Sequence, residues 1–254
     1  MLSSFSHWLT QWILNQTTHL SLVVFRQVIF APLAWSSGVT TLFHITRGVV
    51  MAGLAAVAGW GFLSTLWPAL WPGGVAPSPL RMLQRVLTAA ILTWLVVPAV
   101  QWMLEVNNAI VREILASAQG FAPTITTGQA LLSPLLSGLI VIVSALLLVY
   151  LGIFYALRVV EIFVLTALSP VMLAWWGVTG DANGLGRWGR EVLIAIFIQS
   201  IHAAVFWLYL HLVYSTEISQ FEAVGVLFYM TRVPEQVRRL LGSPGVGSVL
   251  MPWR

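Results

Sequence analysis

Arg158 and Glu161 split the long apolar run from Val141 to Trp176, and Ser169-Pro170 follow them within the same run. Ionisable groups in hydrocarbon are costly, so they persist where they pair, meet water or serve a transport path. An intrahelical or interhelical ion pair near the membrane interface is the expected arrangement, because unpaired charge there costs a few kcal/mol. Two further sets follow the helical period of about 100 degrees per residue. Trp94, Pro98, Gln101, Glu105, Asn108 and Arg112 are spaced alternately by four and three, and Glu191, Gln199, His202 and Tyr209 mark a later segment. Together with Arg158, Glu161, Thr166 and Ser169, they give three helices a polar face each. These faces are expected to turn inward, either as hydrogen-bonding glue between helices or as the lining of a wet path. Ser200, across its helix from His202, is expected to face lipid. Pro98 and Pro170 remove backbone donors and are expected to kink their helices.

Catalytic chemistry finds little support. The chain has no cysteine and no lysine, which excludes disulfides, thiolate catalysis and a Walker lysine. There is no HExxH motif and no Gly-rich phosphate loop. His202 and His211 are nine residues apart and fall on opposite sides of a helix, so they form no local metal pair. No serine stands in a recognisable nucleophile setting. The expectation is a non-enzymatic chain with no cofactor and no metal.

The elements that must position these residues are membrane spans. Hydrophobic residues make up 59% of the 254 and charged residues 8%, against roughly 25% charged in soluble domains, so a water-facing surface could not be covered. The chain carries 13 tryptophans, many where apolar runs stop (Trp60, Trp67, Trp71, Trp175, Trp176, Trp188), the depth at which such rings anchor. All twelve basic residues are arginine and the net charge is +4. Arginine suits phosphate, although a lysine-free chain also fits a GC-rich genome. The opening MLSSFSHWLTQW lacks the basic n-region of a signal peptide.

The pattern predicts an all-α polytopic bundle of five or six spans. Residues 1–40 form an interfacial or re-entrant segment that begins with an amphipathic interfacial helix over 2–14. The bundle occupies 41–233, and 234–254 form a basic tail. Spans are expected near 44–67, 79–118, 133–157, 158–178 and 191–214, with FEAVGVLFYM as a half-span, each full span being long enough to cross about 30 Å of hydrocarbon. TGDANGLGRWGR reads as a link before the last full span. Under either span count the positive-inside rule puts the C-terminus in the cytoplasm.

Two segments carry a family resemblance. LQRVLTAAILTWLVVPAVQWMLEVNNAIVREIL is similar to the second-span region of the TrbL family, with a basic opening, a hydrophobic span and a polar Asn-Asn exit. FYALRVVEIFVLTALSPVMLAWW followed by RWGREVLIAIFIQSIHAA resembles that family's core, with an arginine opening a span, a Ser-Pro in its middle, a Trp-containing turn and a glutamine-bearing span. The matching positions are Asn107-Asn108, Arg158, Pro170, Trp188 and Gln199, within residues 80 to 215. The resemblance implies a multi-pass subunit of a conjugation or type IV secretion machine in the bacterial cytoplasmic membrane. Its implied setting is a homo-oligomer among membrane lipids, with other secretion subunits and their ATPases as partners and transient contact with transferred DNA. Many members carry a long polar C-terminal extension and a large extracytoplasmic domain; neither is expected here, so extended direct contact with DNA is not expected either. A small secondary transporter with a polar midplane site is the rival reading, and the absence of internal duplication counts against it.

Overall fold

The computed structural model of the chain describes residues 28–66, 79–117, 134–215 and 220–241. The expected interfacial helix over 2–14 and most of the basic tail lie outside these residues. Six helices follow one another: α1 (Ser37–Leu66), α2 (Pro79–Ser117), α3 (Pro134–Ala167), α4 (Ser169–Thr179), α5 (Ala182–Ser215) and α6 (Gln220–Leu240), and no strand occurs among the described residues. Among the described residues four helices are long and apolar enough to cross a bilayer, over Ser37–Leu63, Leu80–Ser117, Ile142–Ala167 and Ala182–Leu208, as a multi-pass membrane protein requires.

The helix expected to begin at Arg158 does not. α3 runs through Arg158 without interruption and stops at Ala167, so the expected third and fourth spans are one long helix followed by an 11-residue helix. The break belongs to Pro170. Its nitrogen cannot donate to the Thr166 carbonyl four residues back, and its ring crowds that carbonyl. Ser169 Oγ donates to the Thr166 carbonyl instead, at 2.7 Å. Leu168 takes the N-cap position with Pro170 in the first turn of α4, where a missing N–H costs nothing. At about 1.5 Å per residue, α4 is too short to cross the hydrocarbon.

The expected link TGDANGLGRWGR is nearly all helix. Gly180 ends α4 in the left-handed conformation with φ 78°, its N–H bonded to the Trp176 carbonyl. Asp181 Oδ1 then accepts from the N–H groups of Asn183 (3.0 Å) and Gly184 (3.3 Å), which is an N-cap for α5. Two residues thus do the work of a turn, and α5 begins nine residues before Glu191. A Cβ at Gly180 would only displace the end of the flexible Arg85 side chain, so it is the left-handed φ that calls for glycine here.

The chain forms two compact units. The first comprises Met1–Leu33, Glu105–Val159 and Ile196–Arg254. Its core is Ile29, Phe30, Val111, Leu148, Leu151, Tyr155, Ala203, Phe206 and Met230, with the Phe30 and Phe206 rings 5.3 Å apart. The second comprises Ala34–Leu104 and Val160–Ala195. Here α1 packs along α4, and Gly177 of α4 lets α2 approach so closely that an added Cβ would stand 3.0 Å from that of Ala89, the small-residue contact that membrane helices favour. Arg47 stacks on Trp94 at 3.9 Å, and Trp188 Nε1 donates to the Leu165 carbonyl at 3.1 Å.

Candidate functional site: a buried amide and arginine cluster

In the first unit, α5 carries Gln199 and His202 on its most buried side, 1% and 0% exposed. Their three-residue spacing stacks them on one face. Gln199 uses every hydrogen-bonding position that a carboxamide has. Its Nε2 donates to the carbonyls of Ile29 (2.7 Å) and Ala31 (3.0 Å). Its Oε1 accepts from Asn107 Nδ2 (2.9 Å) and Arg158 Nη1 (3.3 Å). One side chain therefore joins α2, α3 and α5 to the irregular backbone at Ile29 and Ala31.

Around it the network closes. Asn107 Oδ1 accepts from Ser200 Oγ at 2.7 Å, and Arg158 Nη2 donates to the Ile196 carbonyl at 2.7 Å. Arg158 is 3% exposed, and its guanidinium also lies 5.5 Å from the centre of the Tyr155 ring. The Tyr155 hydroxyl meets His202 Nδ1 at 2.6 Å. His202 Nε2 is buried without a hydrogen-bond partner among the described residues.

The stretch from Ile29 to Leu33 explains why amides are used. Ile29 closes a short π turn, residues 30–33 are not helical, and Pro32 supplies no N–H, so the carbonyls here lack the partners that a continuing helix would supply. Irregular backbone survives in a membrane protein only where protein or water satisfies it. Gln199 serves Ile29 and Ala31. Asn108 serves Leu33 twice, its Oδ1 accepting from the Leu33 N–H (3.3 Å) and its Nδ2 donating to the Leu33 carbonyl (3.5 Å). An acidic side chain could accept but not donate here, and a basic one could donate but not accept; a carboxamide does both.

The sequence expectations divide. Asn108, Arg158, Gln199 and His202 fall in or beside the cluster. Gln101, Glu105 and Arg112 do not, and the stripe that they form with Trp94 and Pro98 faces outward rather than inward: Trp94, Pro98, Glu105 and Arg112 are exposed and Gln101 is half-buried. The buried row of α2 is Val86, Ala89, Thr93, Val96, Val100, Leu104, Asn107 and Val111, with the same period but another phase. Ser169 and Pro170 are buried at the helix break, and Glu161 and Glu191 are half-buried in segments of the second unit. Ser200, expected to face lipid, is half-buried and donates to Asn107. Tyr155 was not anticipated. It lies three residues before Arg158, a spacing that could have flagged it.

The cluster's donors and acceptors are almost all occupied by one another, and among the described residues no group of three His, Asp or Glu side chains could hold a metal ion. No protein-family model matches the chain, and no curated protein or solved structure shows detectable similarity to it.

Proposed function

We propose that the chain is a non-enzymatic channel or scaffold subunit of a type IV secretion apparatus for conjugative DNA transfer. It would sit in the bacterial cytoplasmic membrane with its C-terminus in the cytoplasm, as an oligomer served by partner ATPases. The observation that carries this reading is the convergence of Asn107, Arg158 and Gln199 in one buried network, with Asn108 beside it. These are four of the positions on which the resemblance to the TrbL family rests, and they come from three separate helices. A subunit that must keep its packing while substrate passes nearby is well served by such a cluster, because hydrogen-bonded polar groups specify one arrangement where apolar packing tolerates several.

One observation favours the rival, a small secondary transporter. Such proteins build their sites on unwound backbone within the membrane, and Phe30 to Leu33 is unwound. Here, however, the carbonyls of Ile29 and Ala31 are occupied by Gln199. The test is DNA transfer from cells carrying the neighbouring conjugation genes, measured with membrane abundance. Deletion of the gene is expected to abolish transfer, and undiminished transfer would refute the reading.

A further inference from the structure

The second half of α6 is strongly two-faced. Met230 and Val233 are buried and Val237 is half-buried, and the steps of three and four residues continue this face to Leu240 and Leu241. Those two leucines are 86% and 47% exposed. The apolar face thus runs off the protein. The opposite face carries Arg232, Glu235, Gln236 and Arg239, all exposed, and Arg238 lies between the two. Glu235 is shared by Arg232 (3.8 Å) and Arg239, so three arginines stand against one carboxylate. Among the described residues four helices are long and apolar enough to cross a bilayer, whereas α6 is amphipathic rather than apolar overall.

We propose that Arg232–Leu241 is a docking element for the anionic phospholipid headgroup layer, with Leu240 and Leu241 inserted at the acyl boundary and the arginines on lipid phosphates. An apolar face flanked by arginine on an amphipathic helix suits that boundary. The excess positive charge selects anionic over zwitterionic lipid, and guanidinium binds phosphate oxygens in pairs. Docking would also anchor α6, whose Met230 belongs to the core of the first unit. The proposal does not depend on the secretion reading.

The chain has no cysteine, so Leu241→Cys labelled with an environment-sensitive dye gives a single reporter in the full-length protein. The protein is placed in nanodiscs of phosphatidylcholine alone or of phosphatidylcholine with phosphatidylglycerol, with and without a lipid spin-labelled near its headgroup. Blue-shifted emission and strong quenching by the spin-labelled lipid are expected in the anionic discs, with weaker effects in the zwitterionic ones. Each of Arg232→Gln, Arg238→Gln and Arg239→Gln is expected to lower the docked-to-undocked ratio about fivefold. Water-like emission in both discs overturns the proposal, and equal quenching in both overturns its anionic selectivity. Blue-shifted emission without lipid quenching would mean that protein covers the leucines, which also overturns it.

Discussion

The two units satisfy their buried polar groups in opposite ways. In the second, Thr93 donates to Ala89, Thr166 to Ile162 and Ser169 to Thr166, each within one helical turn. In the first, Gln199 reaches the carbonyl of Ile29, 170 residues away, and Asn107, 92 residues away. A hydroxyl bonded to its own helix is satisfied in any arrangement of the bundle and so selects none. A carboxamide that must find four partners on other segments is satisfied in one arrangement only. The first unit is therefore specified by polar contacts between segments, and the second by close packing and stacking: Gly177 against Ala89 and Arg47 on Trp94.

This difference predicts a graded series of thermal unfolding shifts in detergent or nanodiscs. Gln199→Leu should be the most damaging, since it strands two carbonyls, the Asn107 amide and part of the Arg158 charge; a loss of about 3–5 kcal/mol is expected, as when one partner of a buried charged network is removed. Gly180→Val should follow at about 1–3 kcal/mol, because a branched residue is strained in the left-handed region and displaces Arg85. Ser200→Ala should cost about 0.6 kcal/mol, the average for a hydrogen bond between membrane helices. Thr166→Val should fall within about 0.5 kcal/mol, because only a bond to its own helix is lost. If Thr166→Val proved as costly as Gln199→Leu, the contrast between the units would fail.

Much of the fold was legible. Apolar length gave the four long helices, and Ser169-Pro170 pointed to a special backbone position. The error was to start a helix at Arg158, because a charge in an apolar run resembles a span boundary. A charge can instead be buried mid-helix when another helix offers Gln199 Oε1 and the Ile196 carbonyl. Gln199 and His202 were legible because polar residues three apart on an otherwise apolar helix have few inward alternatives. Asn107 and Asn108 lie only about 100 degrees apart. Glu105 and Arg112 drew the phase of α2 toward Asn108, while the true buried row is mostly apolar and shows a polar group only at Thr93 and Asn107. The carbonyls of Ile29 and Ala31 leave no side-chain signature at all, so the partners that explain Gln199 were invisible in the sequence.

The central claim is that Gln199 holds the irregular segment Ile29–Leu33 against the helices of the first unit. Hydrogen exchange of the peptides covering Ile29–Leu33 tests it most directly, comparing the wild-type protein with Gln199→Leu and Thr166→Val in the same nanodiscs. Gln199→Leu is expected to speed exchange of this segment by more than tenfold, as the loss of about 1.4 kcal/mol or more of local stability requires, with Thr166→Val unchanged from wild type. Unchanged protection of Ile29–Leu33 in Gln199→Leu would contradict the account.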